Sequence, residues 1–530
     1  MATKVSQVGE VLEQPVFRIL TSQVIPLFPV DRDYGPAADQ ESLDLILDIA
    51  SSGDLYYSPT YNLTKALQRQ VLDGSYGKPL APSLLDDRFY WNHALAEVLT
   101  GKKAGHFVTP VIYGHFSHKH LPFNGEFVNF VLVSRRHRKR AGLRYTKRGA
   151  DFQGHTANYV ETEQIVLSPT GKVSAFVQTR GSIPILWKQT VDMKYKPRLV
   201  IHAAVEENAK VMRIHLEEQI AIYGNQTLVS LISRVGFERT LRDSFADAVM
   251  SLANEKVTFV EFHVNEECKG MKYHNMVRLV ENVRQGVTRD GVFVWESKAP
   301  AEVVQNVVTQ QGSLRTNCLD CLDRTNLAQS FVALDILPRQ LAHIGMISTE
   351  RLGDNQTTLF SHEFLLNFRN IWADNGDRIS VQYAGTGALK GDFTRTAKRR
   401  LRGDLADGVN AISRYYHNNF MDGKKQDGLD LFLGRRKVSV IEEKGKRHEP
   451  LLQSQLWYVT LVVGFVRMFA PRQIGSNLQF LQAVFWSLFM VMMWTVLNLD
   501  GRVLTVHPTI PDEVDIPIAS QKPRCPKKIV

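Results

Sequence analysis

The chain has 530 residues, 44% of them apolar: length enough for two or three domains and apolar content ample for a core, which excludes wholesale disorder. Four cysteines (Cys268, Cys318, Cys321 and Cys525) exclude a disulfide-built fold and suit a reducing compartment, and the polar opening from Met1 to Gln14 lacks the apolar core of a signal peptide. A net charge of +10 and a pI near 9.2 point to an anionic partner, either nucleic acid or an acidic membrane surface.

Val16-Phe17-Arg18-Ile19-Leu20 and Val24-Ile25-Pro26-Leu27-Phe28 have the composition of strands, and residues 42–49 that of a helix. With the aromatic segments Leu55-Tyr56-Tyr57 and Arg88-Phe89-Tyr90-Trp91 they make residues 1–106 a small α+β lobe. From Phe107 the pattern turns strand-rich, and residues 127–133 read as a buried strand. Next comes the densest positive charge in the chain, Ser134-Arg135-Arg136-His137-Arg138-Lys139-Arg140, continued by Arg144, Lys147 and Arg148. A nuclear or nucleic-acid patch and a merely solvated basic face are the alternatives for this run. Residues 173–178 and 183–187 read as strands around a turn at Gly181, and residues 257–263 as a further strand. Residues 209–216, 226–234 and 276–283 read as helices. This alternation makes residues 107–434 an α/β catalytic lobe.

Residues 435–450 are charged and read as a linker. Residues 473–499 carry no charge. At about 1.5 Å per residue, roughly 20 apolar residues cross a bilayer, so residues 478–499 suit a transmembrane helix. With the shorter uncharged run 451–466, and Pro471, Gly475 and Asn477 between them, residues 451–499 read as a two-helix transmembrane hairpin. Lys444, Lys446 and Arg447 precede it and Arg502, Lys522 and Arg524 follow it, which puts both termini in the cytosol. The sequons at Asn62, Asn225 and Asn355 would then never meet the glycosylation machinery. Given such an anchor, Arg135, Arg136, Arg138, Lys139 and Arg140 are expected to face an anionic membrane surface rather than nucleic acid, each charge contributing about 1 kcal/mol. Residues 500–530 form a cytosolic tail ending Pro526-Lys527-Lys528-Ile529-Val530. Two lysines third and fourth from the end resemble a dilysine retrieval signal, an address read by coat machinery.

The chemistry concentrates in Arg315-Thr316-Asn317-Cys318-Leu319-Asp320-Cys321-Leu322-Asp323-Arg324-Thr325-Asn326. Gln311-Gly312-Ser313 reads as a breaker before it and residues 327–335 as a helix after it, so Cys318 falls in a loop feeding a helix N-terminus. Backbone N–H groups and the helix dipole favour an anion there and lower the pKa of a thiol. Arg324 can grip two phosphate oxygens at once. The spacing Cys318-x5-Arg324-Thr325 matches the phosphate loop of cysteine-dependent phosphatases; the bland alternative is a buried Cys318 and an Arg324 paired to a carboxylate. Cys318 and Cys321 also admit a redox pair, a zinc site, a resolving thiol, or simply a small buried Cys321. Gly385-Thr386-Gly387-Ala388-Leu389-Lys390 lacks the third glycine of a dinucleotide loop; its Lys390 either meets a phosphate or is solvated.

The Cys318 stretch resembles the signature of the Sac-domain (suppressor-of-actin) phosphoinositide phosphatases. Asp54-Leu55-Tyr56-Tyr57, Asp87-Arg88-Phe89-Tyr90-Trp91-Asn92, Arg140-Ala141-Gly142-Leu143-Arg144-Tyr145, Asn158-Tyr159-Val160-Glu161-Thr162-Glu163, Gln178-Thr179-Arg180-Gly181-Ser182-Ile183-Pro184 and Trp372-Ala373-Asp374-Asn375 are also similar to that family, over roughly residues 42–434. The segment ahead of Leu55 is shorter than the family's usual N-terminal lobe. The resemblance implies phosphatidylinositol monophosphates as substrates, chiefly the 4-phosphate and secondarily the 3-phosphate, and a phosphocysteine on Cys318. It implies charge stabilisation by Arg324 and the loop amides, and Asp320 or Asp323 as the acid. Asn317, Thr325, Lys390 and Arg180 are the expected substrate-binding residues, Thr325 also reaching the thiolate, with no metal or other cofactor. The tail is similar to the membrane-anchored branch of the endoplasmic reticulum and Golgi. The rival functions are a membrane-anchored lipid-binding scaffold with little turnover and a protein tyrosine phosphatase.

Overall fold

β-Branched and aromatic residues build one large mixed sheet, and the Cys318 loop leaves the carboxyl end of one of its interior strands. A computed structural model of the chain describes residues 1–25, 36–101, 104–296, 307–353, 356–389, 395, 401–435, 487, 505–510, 512 and 514. Its strands are β1 (Ala2–Val11), β2 (Gln14–Ser22), β3 (Leu55–Tyr57), β4 (Ile112–Phe123), β5 (Glu126–Arg136), β6 (Val160–Leu167), β7 (Lys172–Arg180), β8 (Trp187–Gln189), β9 (Leu199–Ile201), β10 (Asn225–Ser230), β11 (Val257–Glu261), β12 (Phe293–Glu296) and β13 (Gly312–Asn317). Among the described residues the main sheet has 11 strands in the order β1-β2-β3-β4-β5-β6-β7-β13-β10-β11, with β12 beside β7; β8 and β9 pair separately.

The first seven strands run antiparallel, whereas β7, β13, β10 and β11 run parallel. The helices that matter here are α1 (Pro36–Ala50), α2 (Val205–Tyr223), α3 (Arg239–Met250), α4 (Met276–Asp290), α5 (Asp323–His343), α6 (His362–Ala384), α7 (Leu401–Tyr416) and α8 (Asp422–Phe432). A buried parallel strand presents alternate residues to two cores. Val229 of β10 packs with Met276, Leu279 and Val283 of α4 and Val332 of α5, while Leu228 packs with Met212 of α2 and Leu241 and Phe245 of α3. Along β4 and β5, Phe130 meets Phe368 of α6 edge to face, the centroids 5.6 Å apart. The front residues share their core with the rest. β3 pairs with β4, and Ile19, Ile49 and Leu55 pack with Trp91, Tyr113, Leu429 and Phe432.

Four local readings of the sequence change. Val24 and Ile25 lie beyond the end of β2 and are not strand, and the rest of that run, residues 26–28, lies outside the described residues. Residues 226–234 are not a helix: residues 225–230 are β10, whose polar Gln226, Thr227 and Ser230 are buried between β13 and β11. Of residues 183–187 only Trp187 enters a strand, because Pro184 has no N–H for a ladder. Gly312 and Ser313 do not break the chain but start β13. A Cβ on Gly312 would sit 2.2 Å from the Asp290 carboxylate and 2.8 Å from the Asn225 carbonyl, so the glycine permits a close approach.

The linker 436–450 and the hairpin 451–499, apart from Ser487, lie outside the described residues, as does the dilysine end. Among the described residues no helix is long and apolar enough to cross a membrane. A short piece beyond the apolar run lies against the catalytic lobe. Val506 N–H donates to Asn419 (2.8 Å), Thr509 bonds Asp427, and Val514 is buried with Ala150, Leu186 and Val211.

Candidate active site

Parallel strands place their carboxyl ends together, and ligands of such sheets bind beyond those ends. Here β7 ends at Arg180, β10 at Ser230 and β13 at Asn317, so Gly181, Leu231 and Cys318 emerge side by side. β13 is held rigidly. Arg315 donates to the Nε2 of His215 (2.9 Å), Thr156 and the Ser182 carbonyl, and the Asn317 amide donates to the Gly181 carbonyl (2.8 Å). Asn317 is therefore a buried brace of the neighbouring turn.

Residues 318–322 then turn into α5. Cys321 adopts φ +53°, an uncommon left-handed conformation that aims its N–H back at the Cys318 Sγ, 2.8 Å away. The Thr325 hydroxyl, one turn into α5, lies 3.4 Å from the same sulfur. Burial alone would push the Cys318 thiol up. The Cys321 hydrogen bond, the Arg324 charge and the Thr325 hydroxyl outweigh it and bring the thiol down to about 6. Cys321 moves the other way: burial and the neighbouring Cys318 push it well up, and its Sγ donates to the Gly181 carbonyl (2.9 Å). The two thiols are thus differentiated into a nucleophile and a neutral donor.

Arg324 is clamped end-on by Glu238, which the sequence did not single out. Nη1 donates to Oε2 (3.0 Å) and to the Leu231 carbonyl (3.2 Å), and Nη2 donates to Oε1 (2.7 Å). Glu238 is itself fixed by the Ser233 N–H (2.9 Å). A guanidinium has five N–H groups in a rigid fork. These contacts use three, and what remains is the Nε–H and one Nη2–H, which share an edge. That edge matches two oxygens of a phosphoryl group.

The two aspartates separate cleanly. Asp320 accepts from Arg144 (3.0 and 2.6 Å) and Arg148 (2.7 Å), and Arg148 also holds the Leu319 carbonyl (2.9 Å). Burial opposes ionisation of Asp320, but the two guanidinium groups outweigh it and hold the carboxyl well below the usual carboxylate range. It is a fixed anion that shapes the loop. Asp323, at the start of α5, accepts from the Leu389 N–H (2.6 Å) and sees Arg414 at 3.6 Å; burial pushes its carboxyl up. Arg180 is buried beneath the loop. Lys390 lies outside the described residues, although its neighbour Leu389 touches Asp323.

The basic run does not form a membrane-facing patch. β5 continues through Arg136, so its alternation sends Arg135 and Arg136 into the two covered faces of the sheet. Arg135 bonds Glu161 (3.0 Å) and Glu163 (2.6 Å) on β6, all three side chains fully buried. Arg136 donates to the carbonyls of Gln382 and Gly142. Arg140 is buried against Asp512 (3.0 Å), which also meets Lys147. Arg138 reaches Asp87 and keeps some exposure, and Lys139 alone of the five is plainly exposed.

A thiol of lowered pKa under a helix N-terminus, with an arginine six residues on and a hydroxyl next to it, has the architecture of a cysteine-dependent phosphatase loop. The SacI homology domain matches residues 1–269. The phosphatidylinositol-3-phosphatase SAC1-B of Danio rerio is 37% identical over 455 residues, covering 84% of this chain and 75% of its own length. The phosphatidylinositol-3-phosphatases SAC1 of Drosophila melanogaster and Saccharomyces cerevisiae are each 34% identical, covering 89% and 82% of this chain and 79% and 69% of their own lengths. The chain belongs to the SacI homology-domain family. Among the described residues no group of three or more His, Cys, Asp or Glu is placed to hold a metal ion.

Proposed function

We propose that the protein is a phosphoinositide phosphatase that hydrolyses the phosphomonoester of phosphatidylinositol monophosphates, the 4-phosphate first and the 3-phosphate second. The observation that carries this is the Cys318 thiol, brought down to about 6 beside the clamped Arg324. The names of the relatives, phosphatidylinositol-3-phosphatases, support the lipid class. The Cys318 thiolate attacks phosphorus and the bond from phosphorus to the inositol oxygen breaks. The free edge of Arg324 and the loop N–H groups hold the equatorial oxygens as charge redistributes. Asp323, whose carboxyl is pushed up, gives its proton to the leaving oxygen; Asp320, an ion at every relevant pH, does not. Water then attacks the phosphocysteine, Asp323 takes a proton from it, and phosphate leaves with the thiolate restored.

The same proposal includes an anchor. Residues 451–499 would form a hairpin in the endoplasmic reticulum membrane, with the catalytic lobe and both termini on its cytosolic side, and the dilysine end would be read by coat machinery. The test is phosphate release from vesicles carrying each monophosphorylated phosphatidylinositol, with the intact chain and Cys318→Ser. Release that disappears in the variant, fastest from the 4-phosphate, is expected. Binding without release from any isomer would overturn the enzyme and leave a lipid-binding scaffold.

A further inference from the structure

A fully buried guanidinium needs an anion or carbonyl partners, since burying an uncompensated charge costs several kcal/mol. The other fully buried arginines near the site obey this. Arg135 has Glu161 and Glu163, Arg148 has Asp320, and Arg315 has His215, Thr156 and the Ser182 carbonyl. Arg180 does not. It has no exposed surface, and its Nε, Nη1 and Nη2 all lack a hydrogen-bond acceptor among the described residues.

The groups whose negative charge would favour the Arg180 cation are the two thiols, Cys321 and Cys318, and of these Cys318 is the one that ionises. The geometry brings them together. Arg180 ends β7 opposite Thr316 of β13, one residue from the Gly181 carbonyl, which the Cys321 Sγ touches at 2.9 Å. We propose that Arg180 is a positioning residue that holds the negative charge of the Cys318 thiolate from beneath the loop and never touches the phosphate. This rests on Cys318 being the nucleophile. The remaining charges around the thiol pair explain why a second cation is needed. Arg324 is neutralised by Glu238, and Asp320 stands close enough to oppose a thiolate while occupied by Arg144 and Arg148. From β13, Arg315 faces Cys321, and from α6 Tyr383 does; Thr325 faces Cys318 from α5. Arg180 is the one cation of this set whose three nitrogens all lack a hydrogen-bond partner among the described residues; Arg315, also without a carboxylate, has His215, Thr156 and the Ser182 carbonyl. A thiolate gives Arg180 its counter-ion, and an unloaded loop keeps that charge on sulfur.

The test is the rate of Cys318 alkylation by iodoacetamide, followed by mass spectrometry across pH, on the full chain in detergent. This readout needs no turnover. Arg180→Met should raise the alkylation midpoint by about one pH unit or more. Arg180→Lys, which keeps the cation, should retain most of the wild-type midpoint. On vesicles Arg180→Met should lower kcat at neutral pH and leave KM unchanged. If Arg180→Met folds poorly, Arg180→Gln replaces it. In addition, Arg180→Met should cost less thermal stability in a Cys318→Ser background than in the wild-type chain, because the counter-ion is already gone. A midpoint unmoved by either variant, a KM that rises while the midpoint stays, or equal costs in the two backgrounds would overturn the inference. Turnover that survives Cys318→Ser would overturn Cys318 as the nucleophile instead and leave the alkylation result to stand by itself.

Discussion

Glu238→Gln is the sharpest probe of how the phosphate grip is set. The carboxylate takes two charge-assisted hydrogen bonds from Arg324, 3.0 and 2.7 Å long, with both side chains largely buried. Glutamine keeps one acceptor and replaces the other with an NH2 that faces an N–H. One bond is lost and a donor–donor contact takes its place. Hydrogen bonds to charged groups contribute about 1.5–3 kcal/mol, and each 1.36 kcal/mol is tenfold in rate, so kcat/KM should fall roughly ten- to a hundredfold. The fall comes from misaiming the free edge of Arg324, and not from the nucleophile. With its partner charge removed, Arg324 still stands beside Cys318, so the thiol stays depressed. Initial rates on phosphatidylinositol 4-phosphate vesicles, paired with iodoacetamide titration of Cys318, read the two effects separately. A folded Glu238→Gln chain within about threefold of wild type, or one that is faster, would refute the reasoning, as the clamp would then be idle or a restraint.

Asp323→Asn should lower kcat by about 10²–10⁴ and remove the alkaline limb of the pH–rate profile, while Asp320→Asn should act mainly on loop stability. His115 is buried with both ring nitrogens lacking a hydrogen-bond partner among the described residues, and burial lowers its pKa to about 4, so the folded state is favoured above the unfolded value near 6.5 and loses that advantage as pH falls towards 4. Unfolding free energies from urea titrations at pH 7 and pH 5 should therefore fall further apart in the wild type than in His115→Leu, by up to about 2 kcal/mol over that interval. Arg135→Met leaves Glu163 buried without its cation and Glu161 with only Arg88 at 3.6 Å, and should cost about 3–5 kcal/mol in denaturant unfolding, with no change in vesicle binding by the folded fraction. Lys139→Glu should do the reverse, weakening vesicle flotation with stability within about 0.5 kcal/mol of wild type.

What the sequence made legible follows from range. Cys318, Arg324 and Thr325 lie within one loop and one helical turn, so their spacing carries their geometry and the helix after them follows from local pattern, whereas the strand before them was hidden behind Gly312 and Ser313, which read as a breaker and instead start β13. Glu238 lies 86 residues from Arg324, between Phe237 and Arg239, with nothing local to mark it; only the parallel pairing of β10 with β13 brings them together. The same pairing hides β10 itself. Its polar residues look unfit for a buried strand until Gln226 is seen bonding the Gly224 carbonyl and the strand is seen flanked on both sides. The aspartates could not be told apart for a similar reason: Arg144 and Arg148 reach Asp320 across more than 170 residues.

The basic run shows why charge density in a sequence is a poor guide to charge on a surface. A run of arginines is ordinarily solvated, because burying each one demands a partner. Here the partners exist and are themselves in the signature-like stretches: Glu161 and Glu163 opposite Arg135, and Asp320 inside the catalytic loop for Arg144 and Arg148. Arg140 donates to the Arg148 carbonyl and pairs with Asp512 from beyond the apolar run, so the tail, the basic segment and the loop form one connected polar network. Much of the positive charge that suggested a lipid surface is thus spent inside, fixing the loop. An acidic bilayer would have to be met by cations that stay exposed, of which this run supplies Lys139, and the selectivity for a phosphorylated headgroup would come from the loop itself: a thiolate, an arginine edge and a helix N-terminus converging on one phosphoryl group.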